Sequence, residues 1–180
     1  MIPEQLETAW LKLRPFEEND AKFVFEYWRS DPAWERFNAS VPQDFGLTDA
    51  EDFVSSMCKR DRDVAPHWAL VYQGAVVGVV SLTFEQDNRI AVIGYGVHGD
   101  LRGQGLSAEA ASAVIDQAFV HVPELHKIRA HTDPDNRPSM RVLEKLGFSH
   151  EGTLRKDRFV KGRFLDDAIY GLLREEWVNE

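Results

Sequence analysis

The chain has 180 residues, 43% hydrophobic and 28% charged, which fits one domain able to bury a real core in water. Thirty Asp and Glu against 21 Lys and Arg leave a net charge of -9, excluding the basic stripe of a general nucleic-acid binder. No run approaches the ~18 apolar residues of a membrane helix, and the single cysteine, Cys58, excludes an intramolecular disulfide and any multi-cysteine metal site. Met1 to Gln5 has neither the basic start nor the apolar stretch of a signal peptide. The expectation is one cytoplasmic domain over residues 1–180, monomeric or homodimeric, with no metal, nucleic-acid or membrane partner.

Trp10 to Arg14 alternates apolar and polar, as a half-buried strand does, and Pro15 closes it. Asn19 or Asp20 is placed to cap a helix running to about Arg29, rich in aromatics at Phe23, Phe25, Tyr27 and Trp28. Asp31-Pro32 breaks it, and Pro42 to Gly46 is irregular. Thr48 and Glu51 form a capping box for a helix from about Asp49 to Arg62. The period then changes: His67 to Tyr72, the turn Gln73-Gly74 and Ala75 to Phe84 make a hairpin. Asp87-Asn88 turns the chain into a third strand, Arg89 to Val97, interrupted by Gly94 and Gly96, a pattern that marks a bulge or a close approach to the backbone. An alanine-rich helix over Ser107 to Val120 follows, then a strand over Lys127 to Thr132. A short helix from Arg137 to Leu146 stops at Gly147, and strands over Ser149 to Arg158 and Arg163 to Leu173 close the chain. Helices first, a meander, then β–α–β give an α+β plan around one sheet.

The informative stretch is the glycine loop from Gly94 to Ser107, between a strand and a helix, where free amides and the helix dipole can hold phosphate. Gly94, Gly96 and Gly99 satisfy the dinucleotide fingerprint, yet two lie inside the strand and the helix starts well past the third. The acid about twenty residues on, Asp116, falls within a helix, and no Gly-Lys-Ser/Thr makes a Walker loop. Arg102-Gly103-Gln104-Gly105 opens the helix more tellingly. Two glycines let the backbone curl so that successive N–H groups converge, with no side chain to block a pyrophosphate.

Residues 93–110, IGYGVHGDLRGQGLSAEA, resemble the acetyl-CoA loop of the GNAT N-acetyltransferases, and specifically its RimJ/RimL branch. Residues 136–148, NRPSMRVLEKLGF, resemble a second block of that branch, N-x-x-S-x-x-[VL]-[LM]-E-K-L-G-F. The resemblance runs from about Leu11 to Leu173. It implies the GNAT fold: a mixed, mostly antiparallel sheet flanked by helices and splayed between two central parallel strands, here Arg89–Val97 and Lys127–Thr132. Acetyl-CoA would be the cosubstrate, its pantetheine arm inserted in the splay near Val97 and His98. Pyrophosphate contacts would fall at Arg102, Gly103, Gln104, Gly105, Leu106 and Ser107, and Asn136 and Ser139 would sit beside the thiol end. Asp100 departs from the superfamily, which often has Gln or Arg there, so Arg102 and the helix dipole must supply more of the attraction.

The implied reaction is direct attack of an amine on the thioester in a ternary complex, the acceptor being a protein N-terminal α-amine or a small amine. An alternative is a sensor that holds acetyl-CoA without turnover. Catalysis needs an oxyanion donor, for which a backbone N–H at the bulge near Val97 suffices, and a proton for the leaving sulfur. Ser139 is the candidate donor with Asn136 beside it, against a bland reading in which Ser139 serves a helix-start amide and Asn136 is only the cap. No base is marked. RimL-like enzymes have been proposed to use an acid between the closing strands, where this chain has Arg158 next to Asp157; Glu85 and Asp87 are alternatives, and each reads equally well as a solvated turn charge. An α-amine with a pKa near 8 is partly neutral at pH 7, so a strong base is not required. His131 reads as structural or at most site-lining, His121 and His126 lack a third ligand, and Cys58 reads as a small hydrophobe. Phe23, Tyr27, Trp28, Trp34 and Phe37 read as core, with part of the cluster bordering the acceptor cleft.

Overall fold

The structure, a computed structural model, describes residues 1–29, 31, 33 and 44–177; Pro32, Trp34, Phe37 and Pro42 lie outside the described residues. One eight-stranded sheet carries the chain, in the order β1-β2-β3-β4-β5-β6-β8-β7. A short edge strand that the sequence did not announce, β1 (Leu6–Glu7), pairs with β2 (Lys12–Arg14), which pairs with β3 (His67–Tyr72). The antiparallel meander continues through β4 (Ala75–Glu85) and β5 (Ile90–Val97). β6 (Lys127–Thr132) then lies parallel to β5, and the closing hairpin of β7 (Ser149–Val160) and β8 (Arg163–Leu173) joins it through β8.

Parallel pairing of β5 with β6 covers only four residue pairs, from Ile90 with Lys127 to Ile93 with Ala130. Beyond that point the strands part, although β5 stays paired with β4 as far as Val97. β6 stays paired with β8 as far as Thr132. A wedge-shaped gap therefore opens inside the sheet, as the GNAT resemblance implied.

Two cores flank the sheet because successive strand residues face opposite sides. Trp68 and Leu70 of β3 join one core, with Leu82, Ile93, Ile128, Tyr170 and Leu172, while the intervening Ala69 joins the other. The first core is covered by α3 (Leu106–His121), which buries Ala108, Ala110, Ala111, Val114, Ile115 and Ala118, and by α4 (Arg137–Lys145) through Leu143. Alanine at the interface lets the α3 backbone sit close to the strands. Its position is pinned at both ends. Glu109 in the first turn accepts from the Thr8 hydroxyl and from the Trp10 N–H at 2.8 Å. Arg174 donates to the carbonyls of Phe119, Val122 and Leu125 at 2.6–2.7 Å, placing a cation on the negative end of the helix.

The second core holds α1 (Ala21–Arg29) and α2 (Leu47–Lys59) through Ala21, Val24, Trp28, Ala50 and Val54. Both helix starts differ from the sequence expectation. Asp20 does not cap α1: its buried carboxylate takes both Arg14 guanidinium nitrogens, at 2.7 and 2.8 Å, and the Glu17 N–H, within a 3-10 turn over Glu18–Asp20. α2 starts at Leu47, and Asp49, not Glu51, reaches back to the Gly46 N–H at 2.8 Å.

Gly78 of β4 lies opposite Val97 and beneath the Gly96 carbonyl of β5, in a register that continues without a bulge. A Cβ added there would lie 2.2 Å from the Gly96 carbonyl oxygen, so only glycine lets that carbonyl lean over β4. Gly78→Val should therefore cost about 1–3 kcal/mol, a fall of several degrees in melting temperature. Gly94→Ala should cost less, because its Cβ would meet only the Ser81 hydroxyl, at 3.2 Å, which can rotate away. Thermal unfolding of the two variants checks the order.

Candidate active site

The gap between β5 and β6 is continuous with a cleft of about 940 Å3 that reaches from the loop before α3 to the face under α1 and α2. Of the residues singled out in the sequence, Val97, Arg102, Gly103, Gly105, Leu106, Ser107, Asn136 and Ser139 line it. His98 and Gln104 are not among its lining residues. The His98 N–H is used by the Val77 carbonyl at 2.8 Å, its Nδ1 accepts from the Asp100 N–H at 3.3 Å, and its ring packs edge-on against Tyr27 at 4.8 Å. His98 thus shapes the loop from behind. Gln104 is exposed, its amide 3.4 Å from the Asp100 carbonyl.

The loop descends through a 3-10 turn (Gly99–Leu101) to two left-handed glycines, Gly103 at φ +79° and Gly105 at φ +86°. A Cβ at either would be strained by that backbone. Gly105 is the N-cap of α3, and the first helical bond runs from the Glu109 N–H to its carbonyl at 3.0 Å. The amides of Leu106, Ser107 and Ala108 thus open without intrahelical acceptors at the positive end of a 16-residue helix. A donor set of this kind fits a pyrophosphate. The dinucleotide reading fails on the same geometry, since Gly94 and Gly96 lie within β5 and the helix starts seven residues after Gly99.

Arg102 is not a loose cation. Its guanidinium makes a two-pronged pair with the buried Asp31 carboxylate, Nη1 at 3.2 Å from Oδ1 and Nη2 on Oδ2. Asp31 also accepts the Ala33 N–H at 3.0 Å. Gly99 gives the carboxylate room, for a Cβ there would sit 3.2 Å away. Asp31, two residues beyond the last residue of α1, is in this way tied to the loop before α3.

On the other side of the gap Asn136 caps α4, accepting the Ser139 N–H at 3.3 Å. The Ser139 hydroxyl lies 3.3 Å from the phenol of Tyr95, which also donates to the Ser139 carbonyl at 3.2 Å. Burial pushes the Tyr95 phenol up to about 12; the Ser139 bond pulls the other way and Tyr170 adds to the rise. Tyr95 is consequently a fixed donor at neutral pH. Helix α4 itself carries no tyrosine. Strand β5 supplies the phenol instead, from the Ile93-Gly94-Tyr95 motif already quoted for the loop.

A second constellation sits where the strands part. His131, one residue beyond the last β5–β6 pair, lines the cleft and holds its Nδ1 2.6 Å from Asp167 Oδ2. Asp167 on β8 is 1% exposed, and Arg158 Nε lies 2.8 Å from its other oxygen, close as an ion pair without the alignment of a straight hydrogen bond. Sequence reading missed this grouping because Arg158 and Asp167 meet across the β7–β8 hairpin and His131 reaches them through β6–β8 pairing. Among the carboxylates considered as a base, Glu85 pairs with Arg129, while Asp157 and Asp87 are exposed and outside the cleft lining. Among the described residues no group of three His, Cys, Asp or Glu side chains is placed to hold a metal ion, and no helix is long and apolar enough to cross a membrane.

Residues 11–149 match the family model described as an acetyltransferase (GNAT) domain. The uncharacterised N-acetyltransferase p20 of Bacillus licheniformis is 30% identical over 98% of this chain and 99% of its own. YdaF of Bacillus subtilis, provisionally named a ribosomal N-acetyltransferase, is 35% identical over 62% of this chain and 61% of its own. The spermidine N(1)-acetyltransferase of Escherichia coli K12 is 27% identical over 94% of this chain and 89% of its own. Among solved structures, RimL, the ribosomal L7/L12 α-N-protein acetyltransferase, shares the fold at a TM-score of 0.81 with 20% identity, over 96% of this chain and 93% of its own. The chain therefore belongs to the GNAT acetyltransferase family and is an N-acetyltransferase.

Proposed function

We propose that the chain, acting as one domain, moves the acetyl group of acetyl-CoA to a primary amine by direct attack in a ternary complex. The observation that carries this reading is the splay of β5 from β6 after Ile93 and Ala130, running onto the open amides that start α3. In this reading the pantetheine arm pairs with the backbone of β5 up to Val97. The pyrophosphate lies on the amides from Gly103 to Ser107. Arg102, already paired with Asp31, adds less charge than a free arginine, so the amides and the helix dipole carry most of the attraction.

The acetyl carbonyl then sits in the gap, where a β5 amide stabilises the charge that develops on its oxygen. The Ser139 hydroxyl delivers the proton that the leaving sulfur requires. Tyr95 holds that hydroxyl in place, and Asn136 fixes the helix start on which it rides. The acceptor is a protein N-terminal α-amine or a small amine. The first fits the YdaF name and the second the spermidine acetyltransferase name. The net charge of -9 favours the approach of cationic acceptors of either class.

CoA binds only the native protein in this reading, so a hundredfold excess over Kd should stabilise it by about 2.7 kcal/mol and raise the melting temperature accordingly. Gly105→Glu should abolish the shift while leaving the protein folded. There is room for the side chain, but it places a strained backbone and a carboxylate where the phosphates belong. A shift from NAD(H) and none from CoA, in the same thermal melts, would contradict the cofactor assignment.

Turnover sorts the side chains. Asp157→Asn and Glu85→Gln should each lower kcat by less than about tenfold, a barrier change under about 1.4 kcal/mol. Ser139→Ala should cost more than either. CoA release assayed with peptides and small amines side by side gives these values and identifies the acceptor together.

A further inference from the structure

We propose that His131 is the general base of the reaction and that Asp167 is its positioning residue. The inference rests on the N-acetyl transfer reading above and names the group that collects the proton from the incoming amine.

The argument starts with the tautomer. Asp167 Oδ2 lies 2.6 Å from His131 Nδ1, and a carboxylate can only accept, so Nδ1 carries the hydrogen. The basic lone pair is then on Nε2. Its ring lines the cleft and its side chain is 36% exposed, whereas the orienting carboxylate is 1% exposed and fixed from the other side by Arg158. A half-open imidazole held by a buried carboxylate is the arrangement by which a histidine is fixed in one orientation and its imidazolium stabilised.

Position agrees. β5 and β6 part after Ile93 and Ala130, so His131 stands at the mouth of the gap and Gly94 is the next residue on the opposing strand. The acetyl carbonyl in the proposed reaction lies in that gap. Along β6, Ile128, Ala130 and Thr132 are buried toward the α3 side, so His131 points to the opposite side, where Trp28, Phe53 and Met57 of α1 and α2 line the same cleft. Amine and imidazole thus share one side of the sheet, and Ser139 faces the gap from α4.

The protons balance. An acceptor R–NH3+ gives one proton to His131 Nε2 and becomes a neutral nucleophile. Its lone pair forms the C–N bond, and the C–S bond breaks with its electron pair going to sulfur. The nitrogen's second proton passes to the Ser139 oxygen as the amide forms while the Ser139 hydroxyl proton goes to the sulfur, so Ser139 ends unchanged. The imidazolium releases its proton to water. Asp167 from β8 contacts His131 and Arg158 from β7 stands behind it; Tyr95 from β5, Asp133 just beyond β6 and Arg60 just beyond α2 line the same cleft, and the Arg129–Glu85 pair lies two residues back along β6.

The test is the pH dependence of kcat/KM for wild-type, His131→Gln, Asp167→Asn and Asp167→Glu, with the CoA-induced melting shift measured for each. His131→Gln should lose about 100-fold at pH 7, the low end for a general base. That deficit should shrink as the pH passes the pKa of the acceptor, where the amine is already neutral. Asp167→Asn should lose activity and shift the acid limb of the profile, with Asp167→Glu recovering part of both. The CoA-induced shift should survive in His131→Gln. Activity of His131→Gln within threefold of wild type at every pH, with wild-type turnover intact, overturns the dyad alone. A wild-type protein that binds CoA and acetylates no amine overturns the transfer reading itself, and the dyad with it.

Discussion

Everything in this molecule turns on two neighbouring strands that stop hydrogen-bonding to each other while remaining bonded to the strands outside them. β5 and β6 share four residue pairs and then part. Buried backbone N–H and C=O groups are costly to leave without partners, so a sheet that splays in its middle has to offer those groups to something. Here the open edges face a cleft, and the cleft ends on a helix N-terminus whose own first amides are open for a different reason. A ligand with a peptide-like arm and a phosphate tail satisfies both at once.

The surroundings are built to hold that gap open. β4 and β8 grip the outer edges of the parting strands over eight and six residue pairs. Gly78 accommodates the tilted Gly96 carbonyl, which no side chain would permit. α3 is fastened at its first turn by Glu109, at its last by Arg174, and in between by Trp177, whose indole donates to Asp116 at 2.7 Å. Charge on the cofactor side is handled sparingly. Asp100 faces solvent and Arg102 is committed to Asp31, so an anion at this loop would meet chiefly backbone amides. The same ion pair joins the chain just past α1 to the loop before α3, giving the two sides of the cleft a direct mechanical link.

Local signals were legible in the sequence because they depend on neighbours in the chain. The left-handed glycines at 103 and 105, the Asn136 cap and the stop at Gly147 are set by the residues beside them, and each is where the sequence reading put it. The meander was legible for the same reason. Two helix starts differ from the sequence expectation, since Asp20 and Asp49 have partners the capping rules did not consider: the arginine of β2, six residues back, for one and an earlier N-cap for the other. The side-chain groupings of the cleft were less visible. Tyr95 meets Ser139 across 44 residues, and His131 meets Asp167 across 36, through a strand pairing that no local pattern encodes.

The central claim is that the splay between β5 and β6 is the seat of the pantetheine arm and the start of α3 the seat of the pyrophosphate. Residue-resolved amide hydrogen exchange with and without CoA tests it most directly. The account expects new protection at the amides of residues 94–97 and 103–108, with little change in the β7–β8 hairpin tip near Val160 and Arg163. Protection that leaves both segments untouched while CoA is bound would contradict it.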